Sequence, residues 1–227
     1  MNFFQMSWWK YLSILLIFYS IIAGILVNAP RLPILNETIR CLYFHVPMWF
    51  TMMALMLASL GFSIAYLRTS IMKYDLYAES FARVSIVFGL LGLITGMMWA
   101  TYTWGSPWHG DPKQNASAIA LLIYFAYGVL RSSLNETEKR ARISAVYNVF
   151  AFFAMLALIW IVPRLTDSLH PGNGGNPGFS PYDLDARMRL VFYPANIGWI
   201  LLGIWISSLL IRIRFLDDSE TYLNEIK

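Results

Sequence analysis

The stretch 41–67, CLYFHVPMWFTMMALMLASLGFSIAYL, runs for 27 residues without one Asp, Glu, Lys or Arg. Wound as a helix at about 1.5 Å per residue it reaches about 40 Å, more than the ~30 Å of a bilayer's hydrocarbon core. Five further stretches share this character: 11–30, 84–110, 114–130, 143–163 and 190–211. Together they predict an all-α integral membrane protein of six transmembrane helices. The expected spans lie near 9–29, 42–67, 84–104, 114–132, 143–163 and 190–212, in a single membrane domain covering 1–227.

Composition agrees with lipid embedding. Hydrophobic residues make up 58% of the 227 and charged residues 13%, the latter about half the usual share of a soluble domain. The first apolar stretch is too long for a typical signal-peptide core, and only Lys10 precedes it, so a retained first helix is expected. The net charge of +4 comes from basic residues scattered around apolar runs. That pattern fits membrane topology and gives no basis for nucleic-acid binding. Cys41 is the sole cysteine, which excludes an intramolecular disulfide, a CxxC redox pair and a CxxCH haem attachment site.

Six spans place both termini on one side. Of the Lys and Arg residues, eleven fall on the side of the termini and of loops 68–83 and 131–142, and six fall on the side of loops 31–40, 104–113 and 164–189. The positive-inside rule then makes the termini cytoplasmic and the second set of loops extracytoplasmic. The six outer cations, Arg31, Arg40, Lys113, Arg164, Arg187 and Arg189, dilute that bias and call for a reason of their own.

No charged residue occupies the uncharged stretches, so chemistry is expected at helix ends and not at mid-membrane ion sites. His45, His109 and His170 are the only histidines, and the six-span topology sends all three to the extracytoplasmic face. The segment WATYTWGSPWHGDPK (99–113) adds a dense aromatic patch there. An interfacial aromatic belt accounts for Trp8, Trp9, Trp160 and Trp199. It does not account for Gly105, Pro107, Gly110 and Pro112, which predict a defined turn. Aromatic faces, imidazoles and cations on one side are the requirements of a porphyrin with its iron and propionates. A haem-free permease or transporter-complex subunit, with the Trp loop as a docking surface, satisfies the same residues.

Nothing in the chain carries a nucleotide-binding GxxxxGK[ST], an HExxH or a GxSxG, so no catalytic role is expected. Three histidines, none deep within a span, also argue against a di-haem quinol oxidoreductase subunit.

The run YFHVPMW (43–49), followed by Trp104-Gly105, Trp108 and Asp111-Pro112-Lys113, resembles the CcmC haem-handling proteins of cytochrome c maturation. The likeness extends over nearly the whole chain, in span number, loop order and a histidine in the last outer loop. CcsA-type proteins share the tryptophan-rich signature but are longer and richer in histidine. The resemblance implies that His45 and His170 are axial ligands of haem iron, and that Trp104, Gly105, Trp108 and Asp111 belong to the motif cradling the porphyrin. It further implies haem b held transiently as cargo, delivery to a CcmE-like periplasmic chaperone, and an ATP-binding-cassette complex with CcmA, CcmB and CcmD-like subunits. The implied location is the bacterial inner membrane. Pro107 and Gly110 stand where many relatives carry tryptophan. His109 is an additional histidine which bis-His ligation leaves without an axial position, so it reads as a loop residue. Glycines 172, 174, 175 and 178 are expected to let the His170 loop open.

Overall fold

The computed structural model describes residues 7–29, 35–170 and 184–225, with side chains to 216. Arg31 and the glycines at 172, 174, 175 and 178 lie outside the described residues. Six helices are long and apolar enough to cross a membrane. They are α1 (Trp8–Leu26), α2 (Leu42–Thr69), α3 (Met72–Trp104), α4 (Pro112–Ser132), α5 (Thr137–Leu156) and α6 (Ala186–Glu225). A tight turn of Asn36–Cys41 leads into α2, while a wider π-helical turn, Ala157–Ile161, and a 3-10 turn, Val162–Arg164, prolong α5. Helices are the expected solution, since every backbone polar group must be paired within its own segment in hydrocarbon.

Segment 68–83, expected as a loop, is mostly helical. Ser70, in the left-handed region at φ 55°, closes α2, and α3 begins at Met72. Charge removes residues 72–83 from the apolar run but does not stop a helix, because Asp75, Glu79 and Arg83 recur every fourth residue on one face.

Helix α2 sits at the centre, packed against α3, α5 and α6, while α1 packs on α6. The antiparallel α2–α3 pair is the most extensive, and three glycines of α3 set its register. A Cβ on Gly89 would lie 2.6 Å from Met52 Sδ, one on Gly92 2.9 Å from the Trp49 indole, and one on Gly96 2.7 Å from His45 Cε1. Side chains of α2 thus fit into gaps that only glycine leaves open, the small-residue packing through which membrane helices approach closely. Serines reinforce the bundle: Ser85 Oγ donates to the Met52 carbonyl at 2.7 Å and Ser59 Oγ to that of Ala78 at 2.7 Å.

Trp9 and Trp199 depart from the belt expectation. Trp8 is exposed, but Trp9 is fully buried, and Trp199 packs edge-on against Phe88 of the core, with ring centroids 6.4 Å apart. Which way a helix is rotated, and not how close a residue lies to its end, decides whether an indole meets lipid or protein.

Candidate functional site

The start of α2, the end of α3, the start of α4 and the end of α5 meet at one end of the bundle. Between them lies a cavity walled mainly by apolar and aromatic side chains. His45 and His170 both line it, and both also line two smaller adjoining cavities.

His45 occupies the first turn of α2, in the gap opened by Gly96. Its Nδ1 lies 3.0 Å from the Gly92 carbonyl oxygen and 3.2 Å from Thr95 Oγ1. A carbonyl can only accept, so Nδ1 carries the proton and donates it, which leaves the Nε2 lone pair free for a metal. The Thr95 hydroxyl spends its own proton on the Leu91 carbonyl at 2.7 Å and is open to accept. Trp99 meets the imidazole edge-on at 5.9 Å and is itself anchored by an Nε1–H bond to Thr38 Oγ1 at 3.1 Å.

His170 follows α5 in the chain, yet its position is set by the turn before α4. Gly105, at φ +81°, ends α3, Gly110 takes φ +70°, and Pro112 opens α4 with Asp111 as its cap. The turn is stitched from α4: Gln114 accepts from the His109 amide at 3.0 Å and donates to the Pro107 carbonyl at 3.2 Å, while Asn115 donates to the Gly110 carbonyl at 2.9 Å. The Asp111 carboxylate accepts from the Lys113 amide at 2.9 Å, as an N-cap should. It also accepts from the Leu169 amide at 2.7 Å, from Ser168 Oγ at 3.0 Å, and from His170 Nδ1 at 2.8 Å.

That last bond fixes the tautomer of His170 as the Gly92 carbonyl fixes that of His45, again freeing Nε2. Burial pushes the Asp111 carboxyl up, but the bonds from His170, Leu169 and Lys113 outweigh it and hold the group well below the usual carboxylate range. Asp111 lines none of these cavities; it stands behind His170. Trp104 meets the His170 ring edge-on at 5.0 Å, and Trp108 lines a neighbouring cavity. Gly105 contributes backbone geometry alone. His109 is exposed, touches the Trp104 ring at 5.9 Å and lines none of the three cavities.

Much of the cavity wall comes from residues not among the expected site residues. Trp49 and Phe50 of α2, Trp99 of α3 and Trp160 of the π-helical turn form aromatic faces around it. Trp160, expected in the interfacial belt, instead donates from Nε1 to Met53 Sδ at 3.1 Å, and the Arg164 guanidinium lies over its ring at 5.9 Å. Two sequence signals pointed this way: Trp49 stands one turn beyond His45, and Gly92 and Gly96 have GxxxG spacing. The outer cations also separate. Lys113 and Arg164 line the cavity. Arg40 donates to the Gly24 and Val27 carbonyls at 2.8 and 2.6 Å, closing the end of α1. Arg187 pairs with Asp185, and Arg189 donates to the Leu184 carbonyl at 3.0 Å.

Gly96→Ala provides a direct check on the α2–α3 register. Its methyl group would press on His45 Cε1, and the imidazole must rotate off the Gly92 carbonyl to escape. Overpacking of this kind costs about 1–3 kcal/mol, so the purified variant is expected to melt at a lower temperature than the parent chain. An unchanged melting temperature would refute this packing.

Residues 2–170 match the family model of the cytochrome C assembly protein. Heme exporter protein C of Paracoccus denitrificans is 28% identical over 181 residues, covering 79% of this chain and 73% of that protein. Heme exporter protein C of Rhodobacter capsulatus is 26% identical over 184 residues, with the same two coverages. Cytochrome c biogenesis protein CcsA of Prochlorococcus marinus is 43% identical over a shorter region of 70 residues, 29% of this chain and 22% of that protein. With three quarters of its length matched by the family model, this multi-pass membrane chain belongs to the cytochrome c assembly protein family.

Proposed function

We propose that this chain binds haem b between His45 and His170 on the extracytoplasmic face of the bacterial inner membrane and delivers it for cytochrome c maturation. The observation that carries the reading is the pair of imidazoles lining one aromatic cavity, each with Nδ1 engaged by a fixed acceptor and Nε2 left for iron. Trp49, Trp99, Trp104 and Trp160 supply apolar faces for the porphyrin, and Lys113 with Arg164 supply cations for its propionates. Family membership and the name of the heme exporter relatives support haem as the cargo.

The two ligands are held differently, and delivery needs such an asymmetry. His45 is built into the α2–α3 helix pair. His170 sits on a segment whose tie to the 105–111 turn is the Asp111 carboxylate, through Ser168, Leu169 and His170. A docking partner that displaces this one carboxylate frees one axial ligand and leaves the other in place. We assign that partner to a CcmE-like chaperone, and energy supply to CcmA, CcmB and CcmD-like transporter subunits. This chain's own part is to bind, orient and release.

Absorption spectroscopy tests the reading. The purified chain supplied with haem is expected to show a Soret band and the visible bands of six-coordinate, low-spin, bis-His iron. A spectrum identical to free haem in the same detergent would defeat the proposal and favour a haem-free docking role for the tryptophan-rich loop.

A further inference from the structure

At the end of the bundle opposite the histidines, α3, α4, α5 and α6 surround a second pocket lined by Arg83, Arg131, Arg140 and Arg214. Two carboxylates answer these four cations. Arg131 is buried and bidentate to Asp75, with Nη1 2.7 Å from Oδ1, and its Nη2 lies 3.1 Å from Glu79. Glu79 also pairs with Arg83 at 2.6 Å and takes both Arg214 nitrogens. The balance leaves two positive charges in excess.

Arg140 accounts for part of that excess. It is half-buried, lines the pocket, and its guanidinium has no ion-pair or hydrogen-bond partner among the described residues. A half-buried, unpaired guanidinium among three paired ones is costly unless an anion joins it. Gly128, where a Cβ would meet nothing within 4 Å, and Ile86 add small and apolar surface to the lining.

Depth indicates what kind of anion fits. Arg83 directly precedes the uncharged stretch 84–110, and Arg131 directly follows 114–130. Arg140 and Arg214 each lie three residues outside their own apolar stretches. All four therefore stand at the level of lipid headgroups. Basic pockets between helices at that level are suited to a phosphate carrying acyl chains.

We propose that this pocket binds the phosphate of an acidic phospholipid headgroup. Its members hold bound lipid by guanidinium–phosphate bonds, with Arg140 completing the set and the lining at Gly128 and Ile86 leaving room for the glycerol end.

The test uses the full chain in detergent, titrated with dioleoylphosphatidylglycerol, dioleoylphosphatidylcholine or inorganic phosphate, with bound lipid read by native mass spectrometry. The phosphatidylglycerol adduct is expected to persist under activation that strips phosphatidylcholine. Arg140→Gln should weaken it about fivefold, Arg140→Lys should retain most of it, and neither should change the melting temperature in the absence of lipid, because Arg140 holds no internal partner. Equal retention by Arg140→Gln and the parent chain overturns the proposal, as does equal retention of the two lipids. Displacement of phosphatidylglycerol by millimolar inorganic phosphate assigns the pocket to a soluble anion and overturns the lipid assignment.

Discussion

Replacing His45 and His170 together by alanine is expected to abolish the Soret band of the haem-supplied protein while leaving its helical signal intact. Loss of outer-shell partners alone costs a metal site about 10–100-fold in affinity, so removing both proposed iron ligands should exceed about 100-fold. The fold has little reason to fail. The Thr95 hydroxyl, 3.1 Å from the Gly92 carbonyl, can turn to it once the imidazole is gone, and His170 is part-exposed at the edge of the bundle. The single variants should differ in kind. His170→Ala leaves iron on the helix-held His45 alone, giving a five-coordinate, high-spin spectrum that added imidazole converts back to six-coordinate. His45→Ala leaves only the ligand that depends on Asp111, and its haem should be lost more readily in gel filtration. A double variant with an unchanged Soret band would remove both residues from the ligand set.

Asp111→Ala is the second large effect, and it distinguishes a positioning residue from a porphyrin contact. Its carboxylate accepts from the side chains of Ser168 and His170 and from the amides of Lys113 and Leu169. Removing it costs the α4 cap about 1 kcal/mol and leaves a part-buried amide without its acceptor at a further ~1–3 kcal/mol. The His170 segment should then detach from the 105–111 turn. Haem affinity is expected to fall about 10–100-fold, with a high-spin spectrum like that of His170→Ala. Asp111→Asn keeps an acceptor oxygen but not the charge, and should restore part of the low-spin band. If Asp111→Ala weakened haem binding without any change in spin state, the carboxylate would be touching the porphyrin and not orienting the histidine.

Both predictions concern an arrangement only partly legible in the chain. The number of spans sends all three histidines to one face, and the family resemblance singled out His45 and His170 among them. The Gly and Pro pattern of 105–112 marked a turn. The bond between Asp111 and His170 was not legible, since the two are 59 residues apart and a motif does not say which of its residues touch one another. Trp160 and Trp9 were misplaced for a related reason. Both lie near the ends of apolar runs, where belt and pocket residues have the same spacing, and only helix rotation separates them. Among the outer cations, Arg40, Arg187 and Arg189 meet backbone carbonyls or a neighbouring carboxylate, needs that arise from loop geometry.

By itself, the sequence determined the number and approximate reach of the helices and the gathering of the histidines at one end. The physics behind these is one-dimensional: hydrocarbon tolerates neither unpaired backbone nor bare charge, so uncharged length is read directly as a span. The tertiary structure alone decided which imidazole nitrogen is free, which indoles wall the cavity and which carboxylate braces the loop. Those depend on the rotation and register of α2 against α3, set where Gly89, Gly92 and Gly96 receive Met52, Trp49 and His45, and on contacts between segments that only folding brings together.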